Sequence, residues 1–183
     1  MRRICIIGAT GSGKSTLGRA IAERLGLRYV ELDALHWDPG WTEAPPEIFL
    51  QRIAQAVRDD GWVTDGNYSL ARPLTLDRAD TIIWIDLPFW TTLGRLVMRT
   101  VRRLLTGEEL WNGNRERLWT QLFSRDSIFL WLIKTYPQRQ EEYPVLLERY
   151  AKRGHAVFRL RSQTQIEAWL ADLPNSEARQ STG

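Results

Sequence analysis

Short apolar runs alternate along the chain with longer segments whose apolar residues recur every three or four positions. The runs are rich in β-branched and aromatic residues, and they predict strands over 3–7, 28–33, 62–65, 80–86 and 156–160. The periodic segments predict helices over 14–25, from 42 to about 61, from 88 to about 105, and over 115–136, 138–152 and 164–171. Strands separated by helices indicate an α/β fold with a parallel sheet covered on both faces.

Ligands of such folds bind at the carboxyl ends of the strands, where parallel strands meet at one edge of the sheet. Five residues of this chain fall at predicted carboxyl ends, namely Gly8, Asp33, Asp65, Asp86 and Arg161. We therefore expect the functional groups of these residues to be gathered at one edge of the sheet.

The first of these ends carries a complete phosphate-binding motif, G-x-x-x-x-G-K-[ST], over residues 8–15. Its glycines let successive backbone N–H groups point at phosphate oxygens, and the following helix adds its positive dipole end. The lysine reaches the β- and γ-phosphates, and the hydroxyl after it coordinates Mg²⁺. The motif predicts a nucleoside triphosphate site that includes Gly8, Gly11, Ser12, Gly13, Lys14, Ser15 and Thr16.

Composition narrows the class of protein further. The chain has 183 residues and a net charge of +3, and residues 87–140 contain nine Lys or Arg against four acids. Such a surplus suits a polyphosphate or nucleic acid partner. The longest apolar run, 128–133, is far shorter than the ~18 residues of a membrane span, and we expect it to be buried all round or to form a subunit contact. With the single Cys5 in a buried strand and no secretory pattern, these features favour a cytoplasmic protein without membrane contact, a monomer or a homodimer.

Several further segments carry a family resemblance: Leu-Asp-Ala-Leu-His-Trp at 32–37, Asp-Gly-Asn-Tyr at 65–68, Arg-Ala-Asp-Thr-Ile at 78–82, and Asp-Leu-Pro at 86–88 followed by spaced arginines. With the P-loop, they make residues 3–170 resemble the adenylate-kinase-like P-loop kinases, and within them the bacterial DNA topology modulation proteins. The resemblance implies a three-layer P-loop NTPase fold. It further implies a five-stranded parallel sheet in the order 2-3-1-4-5 with a short mobile helical lid at about 95–126. The length of the chain predicts a single domain over 1–172, and we expect a flexible tail over 173–183.

The arginines of the helix predicted from residue 88 to about 105 are regularly spaced. Arg95, Arg99, Arg102 and Arg103 lie at i, i+4, i+7 and i+8, on one helical face that is either a solvated surface or a phosphate-binding one. The resemblance implies that Arg95 packs on the base and that Arg99 meets the phosphates. It also implies that Arg115 and Arg125 close on the transferring group and that Arg161 edges the adenine.

Acidic residues complete the predicted site. The resemblance implies that Asp65 holds Mg²⁺ through water, whereas Asp86 is either a Walker B carboxylate or, slightly favoured, a structural one. Glu31 and Asp33 are two positions apart on a predicted strand, so their side chains share a face, and shikimate-type kinases place two acids similarly. In that arrangement Asp33 binds the acceptor and deprotonates its hydroxyl.

The remaining acceptor-binding predictions are Trp37, as an aromatic wall, and Arg72, which stands in for a family arginine replaced here by Ser69. Together these residues predict a Mg-ATP kinase with a small-molecule acceptor. A hydroxyl acceptor is slightly favoured over a nucleoside monophosphate. The alternative is a nucleotide-dependent regulatory or nucleic-acid-associated protein with weak ATPase activity, for which the chain offers the basic helix but no nucleic-acid-binding motif.

Overall fold

Five parallel strands form the central sheet of the protein, which was analysed as a computed structural model that describes residues 1–107, 109–114 and 127–174. The strands of this sheet lie in the order β2-β5-β1-β6-β7. Numbered among themselves, these five strands give 2-3-1-4-5, so the predicted fold class and strand order are confirmed. The bounds of the seven described strands are β1 Arg3–Gly8, β2 Arg28–Glu31, β3 Trp37–Asp38, β4 Thr42–Glu43, β5 Trp62–Asp65, β6 Thr81–Ile85 and β7 Ala156–Leu160.

Helices pack on both faces of the sheet. The described ones are α1 Lys14–Leu25, α2 Leu32–His36, α3 Pro46–Ala56, α4 Phe89–Thr106, α5 Ile128–Lys152 and α6 Gln163–Ala171. Side chains of the central strand β1 alternate between the two faces, with Cys5 and Ile7 in the core cluster beside α3 and α5. Ile4 and Ile6 belong to the cluster beside α1 and α6. The sheet is thus the middle of three layers.

The segment between β2 and α3 differs from its prediction. We expected one strand over 28–33 and a helix from residue 42, but β2 ends at Glu31 and the chain turns into the short helix α2. Leu32, at the start of α2, is buried against Gly66, which makes the turn favourable. Strands β3 and β4 then form an antiparallel hairpin, and α3 begins only at Pro46. Short strands in hairpins carry little periodicity, so a helix was the simpler interpretation of this sequence.

The described part of the predicted helices over 115–136 and 138–152 is a single helix, α5, which contains Pro137 and Pro144. Each proline removes a backbone hydrogen bond, yet the helix continues because residues before and after them are buried against the sheet and α4. In the run 128–133 only Leu132 is buried, while Leu130, Trp131 and Ile133 are more than half exposed, so burial on all sides was wrong. No helix among the described residues is long and apolar enough to cross a membrane.

Candidate active site

The P-loop connects β1 to α1 at the carboxyl edge of the sheet, as the motif predicted. Gly11 has a φ of 79°, and a Cβ there would lie 2.8 Å from the carbonyl oxygen of Thr92. A Cβ on Gly8 would lie 2.6 Å from the carbonyl oxygen of Ile85. Only glycine fits both positions, because the loop approaches the neighbouring backbone too closely for any side chain.

Asn67 fastens the beginning of this loop. Its Oδ1 accepts a hydrogen bond from the N–H of Gly8 at 3.2 Å, and its Nδ2 donates to the carbonyl oxygen of Gly8 at 2.6 Å. The Asp-Gly-Asn-Tyr segment after β5 therefore supports the P-loop as well as supplying a carboxylate. The segment stood out in the sequence, but no local pattern predicted a role for Asn67.

Lys14 lies at the first position of α1, and its Nζ donates a hydrogen bond to the carbonyl oxygen of Ala9 at 3.0 Å. Burial lowers the pKa of Lys14 to about 8, against the opposing charge of Asp65. The guanidinium groups of Arg139 and Arg99 lie close enough to lower it further. Three cations therefore converge where the P-loop would hold the β- and γ-phosphates.

Ser15 and two acids form the candidate metal site. The Ser15 hydroxyl donates to Asp65 Oδ2 at 2.7 Å and lies 3.4 Å from Glu31 Oε1. Burial raises the pKa of Asp65 to about 6, although Lys14 and the Ser15 hydroxyl act in the opposite direction. Asp65 Oδ1 is buried and has no hydrogen-bond partner among the described residues. Oxygen donors with an unsatisfied carboxylate oxygen fit Mg²⁺, which prefers oxygen ligands and keeps several waters.

Asp33 lies beside this cluster but not on the predicted strand. It belongs to α2, so the expectation that Glu31 and Asp33 share one face of a strand was wrong. The Tyr68 hydroxyl donates a hydrogen bond of 2.6 Å to Asp33 Oδ1. The charge of Asp33 acts on both Lys14 and Asp65, which places its carboxylate within electrostatic reach of the phosphate site. The turn at Leu32 therefore still leaves Asp33 near the carboxyl end of β2.

Arg95 and Arg161 lie on the side of the P-loop that faces β7. Arg95 Nη1 is 3.4 Å from the carbonyl oxygen of Ser12, and Nη2 donates to Gln163 Oε1 at 2.8 Å. The backbone N–H of Arg161 donates to Gln165 Oε1 at 2.7 Å, and its guanidinium lies 3.9 Å from Asp86 Oδ2. Arg95 thus borders the P-loop, whereas the Arg161 guanidinium faces Asp86, so the adenine contact implied for Arg161 stays a prediction.

Asp86 holds structural elements together. Its carboxylate accepts hydrogen bonds from Arg159 at 2.8 Å and from Gln140, and its side chain is 7% exposed. These bonds tie the end of β6 to β7 and α5, which agrees with the structural alternative for this residue. Thr16, by contrast, is exposed on the first turn of α1.

Arg139 is a cation of the site that was not predicted from the sequence. It lies on α5, its Nη1 is buried without a hydrogen-bond partner among the described residues, and its charge acts on Lys14 and on the Tyr143 hydroxyl. The available signal was its place in the basic stretch, but its direction depends on the path of α5. Arg115 and Arg125, which were predicted for the transferring group, lie outside the described residues.

Two predicted acceptor residues lie on either side of Tyr68. Arg72 pairs with Glu142 on α5 and lines a small cavity together with Asn67 and Tyr68. Trp37 begins the β3–β4 hairpin, and its ring lies 4.9 Å from that of His36.

The site combines a P-loop between the first strand and helix of a 2-3-1-4-5 sheet with arginines that converge on its lysine. In fold and motif the chain is similar to the adenylate-kinase-like P-loop kinases. Comparison with known proteins points within that class to the shikimate kinases, whose family model matches residues 10–60. This match includes residues 10–15 of the P-loop, Glu31 and Asp33.

A shikimate kinase of Chlorobium chlorochromatii is 32% identical over 121 residues, which cover 58% of this chain and 64% of that relative. The match thus spans less than two thirds of the relative's length. Among solved structures, shikimate kinase from Bacteroides thetaiotaomicron has a TM-score of 0.55 at 17% identity, with 98% of each chain covered. A gluconokinase from Sinorhizobium meliloti has a TM-score of 0.50 at 18% identity, with 100% of this chain and 98% of that one covered. At these identities the two structures show a shared fold.

Proposed function

We propose that this protein is an ATP-dependent kinase that transfers the γ-phosphoryl group to a hydroxyl of a small molecule. The observation that carries the proposal is the position of Asp33, held by the Tyr68 hydroxyl within electrostatic reach of Lys14 and Asp65. A carboxylate beside the phosphate site suits an acceptor whose proton must be removed. The names of the relatives, shikimate kinase and gluconokinase, support a small hydroxylated acceptor.

The reaction assigns a task to each part of the site. Asp33 accepts the proton of the acceptor hydroxyl while the acceptor oxygen forms a bond to the γ-phosphorus. The bond from the γ-phosphorus to the β,γ-bridging oxygen breaks, and ADP leaves. Lys14, Arg99 and Arg139 place positive charge around the transferring group, which is the main contribution a protein makes to phosphoryl transfer.

Ser15, Asp65 and Glu31 would hold Mg²⁺, and the metal ion would supply charge neutralisation on the β- and γ-phosphate oxygens. Arg95 and the segment that follows Arg161 would bind the nucleoside end of ATP, because they border the P-loop on the side of β7.

A nucleoside monophosphate is the less favoured acceptor. Its attacking phosphate oxygen is already anionic and needs no base, so Asp33 and its hydrogen bond from Tyr68 would have no task. Arg72, the predicted contact for such a phosphate, is engaged by Glu142.

The motifs shared with the DNA topology modulation group support a closer relationship to that group, but its label names no mechanism. The basic helix α4 was the feature that suggested a nucleic acid partner. Arg95 contacts the P-loop and the charge of Arg99 acts on Lys14, so nucleotide binding would account for half of the arginines of this helix. No observation on the described residues favours nucleic acid over a small acceptor.

The proposal is tested by measuring ADP release from Mg·ATP in the presence of candidate acceptors, with the Lys14→Ala protein as the blank. The panel should contain cyclic polyols, sugars, sugar acids, shikimate and nucleoside monophosphates. One compound that raises turnover above the blank, with a phosphorylated product found by mass spectrometry, is the expected result. Slow hydrolysis that no compound stimulates would contradict a kinase function. A DNA and RNA binding assay at several salt concentrations would then test the regulatory alternative.

A further inference from the structure

The β3–β4 hairpin is fastened to a segment that is distant in sequence. We name the two parts, residues 37–43 and 110–114, the hairpin–strap junction. Asn114, which is 3% exposed, accepts a hydrogen bond from the N–H of Trp41 at 2.9 Å and donates one to the carbonyl oxygen of Asp38 at 3.0 Å. Asn112 donates to the carbonyl oxygen of Trp37 at 2.5 Å. Two asparagine side chains thus hold the strap against the backbone of the hairpin.

The junction also contains unusual backbone. Trp41 and Asn112, with φ of 58° and 54°, are the two non-glycine residues with positive φ in the part of the chain that the structure describes. Asparagine adopts this conformation readily, but a bulky side chain does so rarely and at a cost in free energy. Trp41 follows Gly40 in the hairpin turn, where glycine or asparagine would be the favourable choice. Residues held in such sparsely populated conformations cluster at active sites and ligand-binding sites, which makes the indole of Trp41 a candidate contact.

The indoles of the junction form a row. The ring centroids of Trp37 and Trp41 are 5.6 Å apart at 74°, and those of Trp41 and Trp111 are 6.2 Å apart at 90°. All three side chains are partly exposed, with Trp41 at 36%. They therefore offer apolar ring surface to solvent, which is the kind of surface that lines small-molecule pockets.

One end of the row of indoles lies near Asp33, the proposed general base. His36 contacts Trp37 at a ring distance of 4.9 Å and Tyr68 at 4.6 Å, and the Tyr68 hydroxyl donates to Asp33. A molecule lying on the indoles would thus lie at the acceptor side of the site, and its hydroxyl groups could approach Asp33.

The charges around the junction indicate what kind of molecule fits. The acids at the hairpin and beside it are Asp33, Asp38 and Glu43, and the basic side chains are Arg52, paired with Asp38 at 2.9 Å, and His36, 3.8 Å from Glu43. Glu31 lies instead beside Ser15 and is paired with Arg19 at 2.9 Å. The cations Lys14, Arg99 and Arg139 are gathered instead at the P-loop. An acceptor with a negative charge near the indoles would be repelled, whereas an uncharged one would not.

We propose that Trp37, Trp41 and Trp111 form an acceptor subsite for the ring face of an uncharged cyclic polyhydroxylated compound, a sugar or a cyclitol. The inference rests on the proposed kinase function and adds the class of acceptor. Asn112 and Asn114 are positioning residues of this subsite, since they hold the hairpin and the strap that carry the three indoles.

The first experiment measures equilibrium binding by calorimetry, so that it does not depend on turnover. Probes are myo-inositol and methyl glucoside as uncharged rings, shikimate and gluconate as acids, and AMP, each with Mg²⁺ and a non-hydrolysable ATP analogue present. Saturable binding of an uncharged ring, at least tenfold tighter than that of any acid or of AMP, is the expected result. Tighter binding of an acid or of AMP would overturn the proposed class, and so would the absence of saturable binding by any uncharged ring.

The second experiment separates a binding role of Trp41 from a structural one. The Trp41→Gly substitution removes the indole and at the same time places the favoured residue at a positive φ, so we expect an unchanged or higher Tm. The dissociation constant of the uncharged ring should rise roughly three- to tenfold, as expected for a lost aromatic contact. Trp41→Phe should restore part of that loss.

Trp90→Ala is the matched control, because Trp90 is 76% exposed on α4 and belongs to no part of the proposed site. It should leave the dissociation constant of the uncharged ring within twofold. The same result for Trp41→Gly would overturn the subsite. Failure of the kinase proposal is recognised by a separate measurement. In that case the wild-type protein would release ADP no faster than the Lys14→Ala blank, whether or not a compound binds to the indoles.

Discussion

At the scale of single residues, the site depends on pairs of side chains that control each other's charge. Asp65 is buried and Lys14 is half-buried, and each opposes the effect of burial on the other's pKa. Tyr68 and Asp33 form a second pair, in which one hydroxyl orients one carboxylate. The two pairs divide the site into a phosphate side and an acceptor side.

Asp33→Asn should abolish phosphoryl transfer and leave ATP binding nearly unchanged, because the amide keeps the hydrogen bond from Tyr68 but cannot accept a proton. Single-turnover assays and a nucleotide-binding titration check the two halves of this expectation. Glu23→Gln, on the exposed surface of α1, is the matched control and should behave as wild type. Transfer that survives in Asp33→Asn at more than a tenth of the wild-type rate would rule out Asp33 as the base.

Arg139→Ala and Arg99→Ala should each lower kcat roughly a hundredfold while the dissociation constant of ATP changes only severalfold, because charge around the transferring group acts mainly in the transition state. Steady-state kinetics with the identified acceptor measure the first quantity and calorimetry the second. Lys134→Ala removes an exposed cation from the same helix as Arg139 and serves as the control. If kcat/KM for ATP falls while kcat stays constant, the arginine contributes to ground-state binding instead.

At the scale of elements, close packing between α1 and β2 explains a glycine inside a helix. A Cβ on Gly18 would lie 2.6 Å from Cε2 of Tyr29, whereas a Cβ on Gly94 of α4 would meet nothing within 4 Å. The aromatic ring of Tyr29 thus occupies the place of a side chain on α1. The absence of a side chain at Gly18 therefore allows α1 and β2 to pack closely.

Gly18→Ala should therefore lower the free energy of unfolding by about 1–3 kcal/mol, through overpacking against Tyr29. Gly94→Ala should raise it by up to ~1 kcal/mol, since alanine is the better helix former and has room. Urea unfolding of both variants at one pH checks the opposite signs. A stabilised Gly18→Ala protein would show that the ring of Tyr29 moves aside without strain.

Asp80 joins the beginnings of β1 and β6. Its Oδ2 accepts hydrogen bonds from the N–H groups of Arg2 and Arg3 at 2.7 and 2.9 Å. Burial alone would raise the pKa of Asp80, but these N–H groups and the Thr81 hydroxyl outweigh it and hold the pKa below its ordinary value. A carboxylate with a depressed pKa stabilises the fold above its unfolded-state pKa, and that contribution is lost as the pH falls through the folded-state pKa.

Asp80→Ala should thus cost about 1–2 kcal/mol of stability at neutral pH, and the difference from wild type should shrink below pH ~4. Thermal unfolding between pH 3 and 7 would measure it. Asp59→Ala, at an exposed position, should show no such pH-dependent difference. A difference for Asp80→Ala that is the same at every pH would assign its effect to packing.

At the scale of the whole molecule, nucleotide binding should be visible as stability. A ligand that binds only the folded protein stabilises it by ~2.7 kcal/mol at a hundred times its dissociation constant. For a chain of this length we expect the Tm to rise by roughly 5–10 °C with Mg·ATP analogue. Lys14→Ala should remove most of this rise and Thr16→Ala, at an exposed position of the same helix, much less. An equal rise in Lys14→Ala would place the nucleotide away from the P-loop.

The sequence by itself determined the five strands of the parallel sheet, the P-loop, and the arrival of Asp65 and Asp33 at one edge of the sheet. These features follow from short-range patterns, because periodicity, glycine spacing and strand ends are local properties of the chain. The same locality explains the errors: the turn at Leu32 and the β3–β4 hairpin depend on contacts with Gly66 and Asn114, which are distant in sequence.

Only the tertiary structure decided which cations meet the phosphates and what borders the acceptor. The charge of Arg139 acts on Lys14 because α5 continues past Pro137, and burial against the sheet, not helix propensity, makes that favourable. Trp37, Trp41 and Trp111 meet because two asparagines join segments about seventy residues apart. Such assignments depend on long-range packing, which no local pattern along the chain encodes.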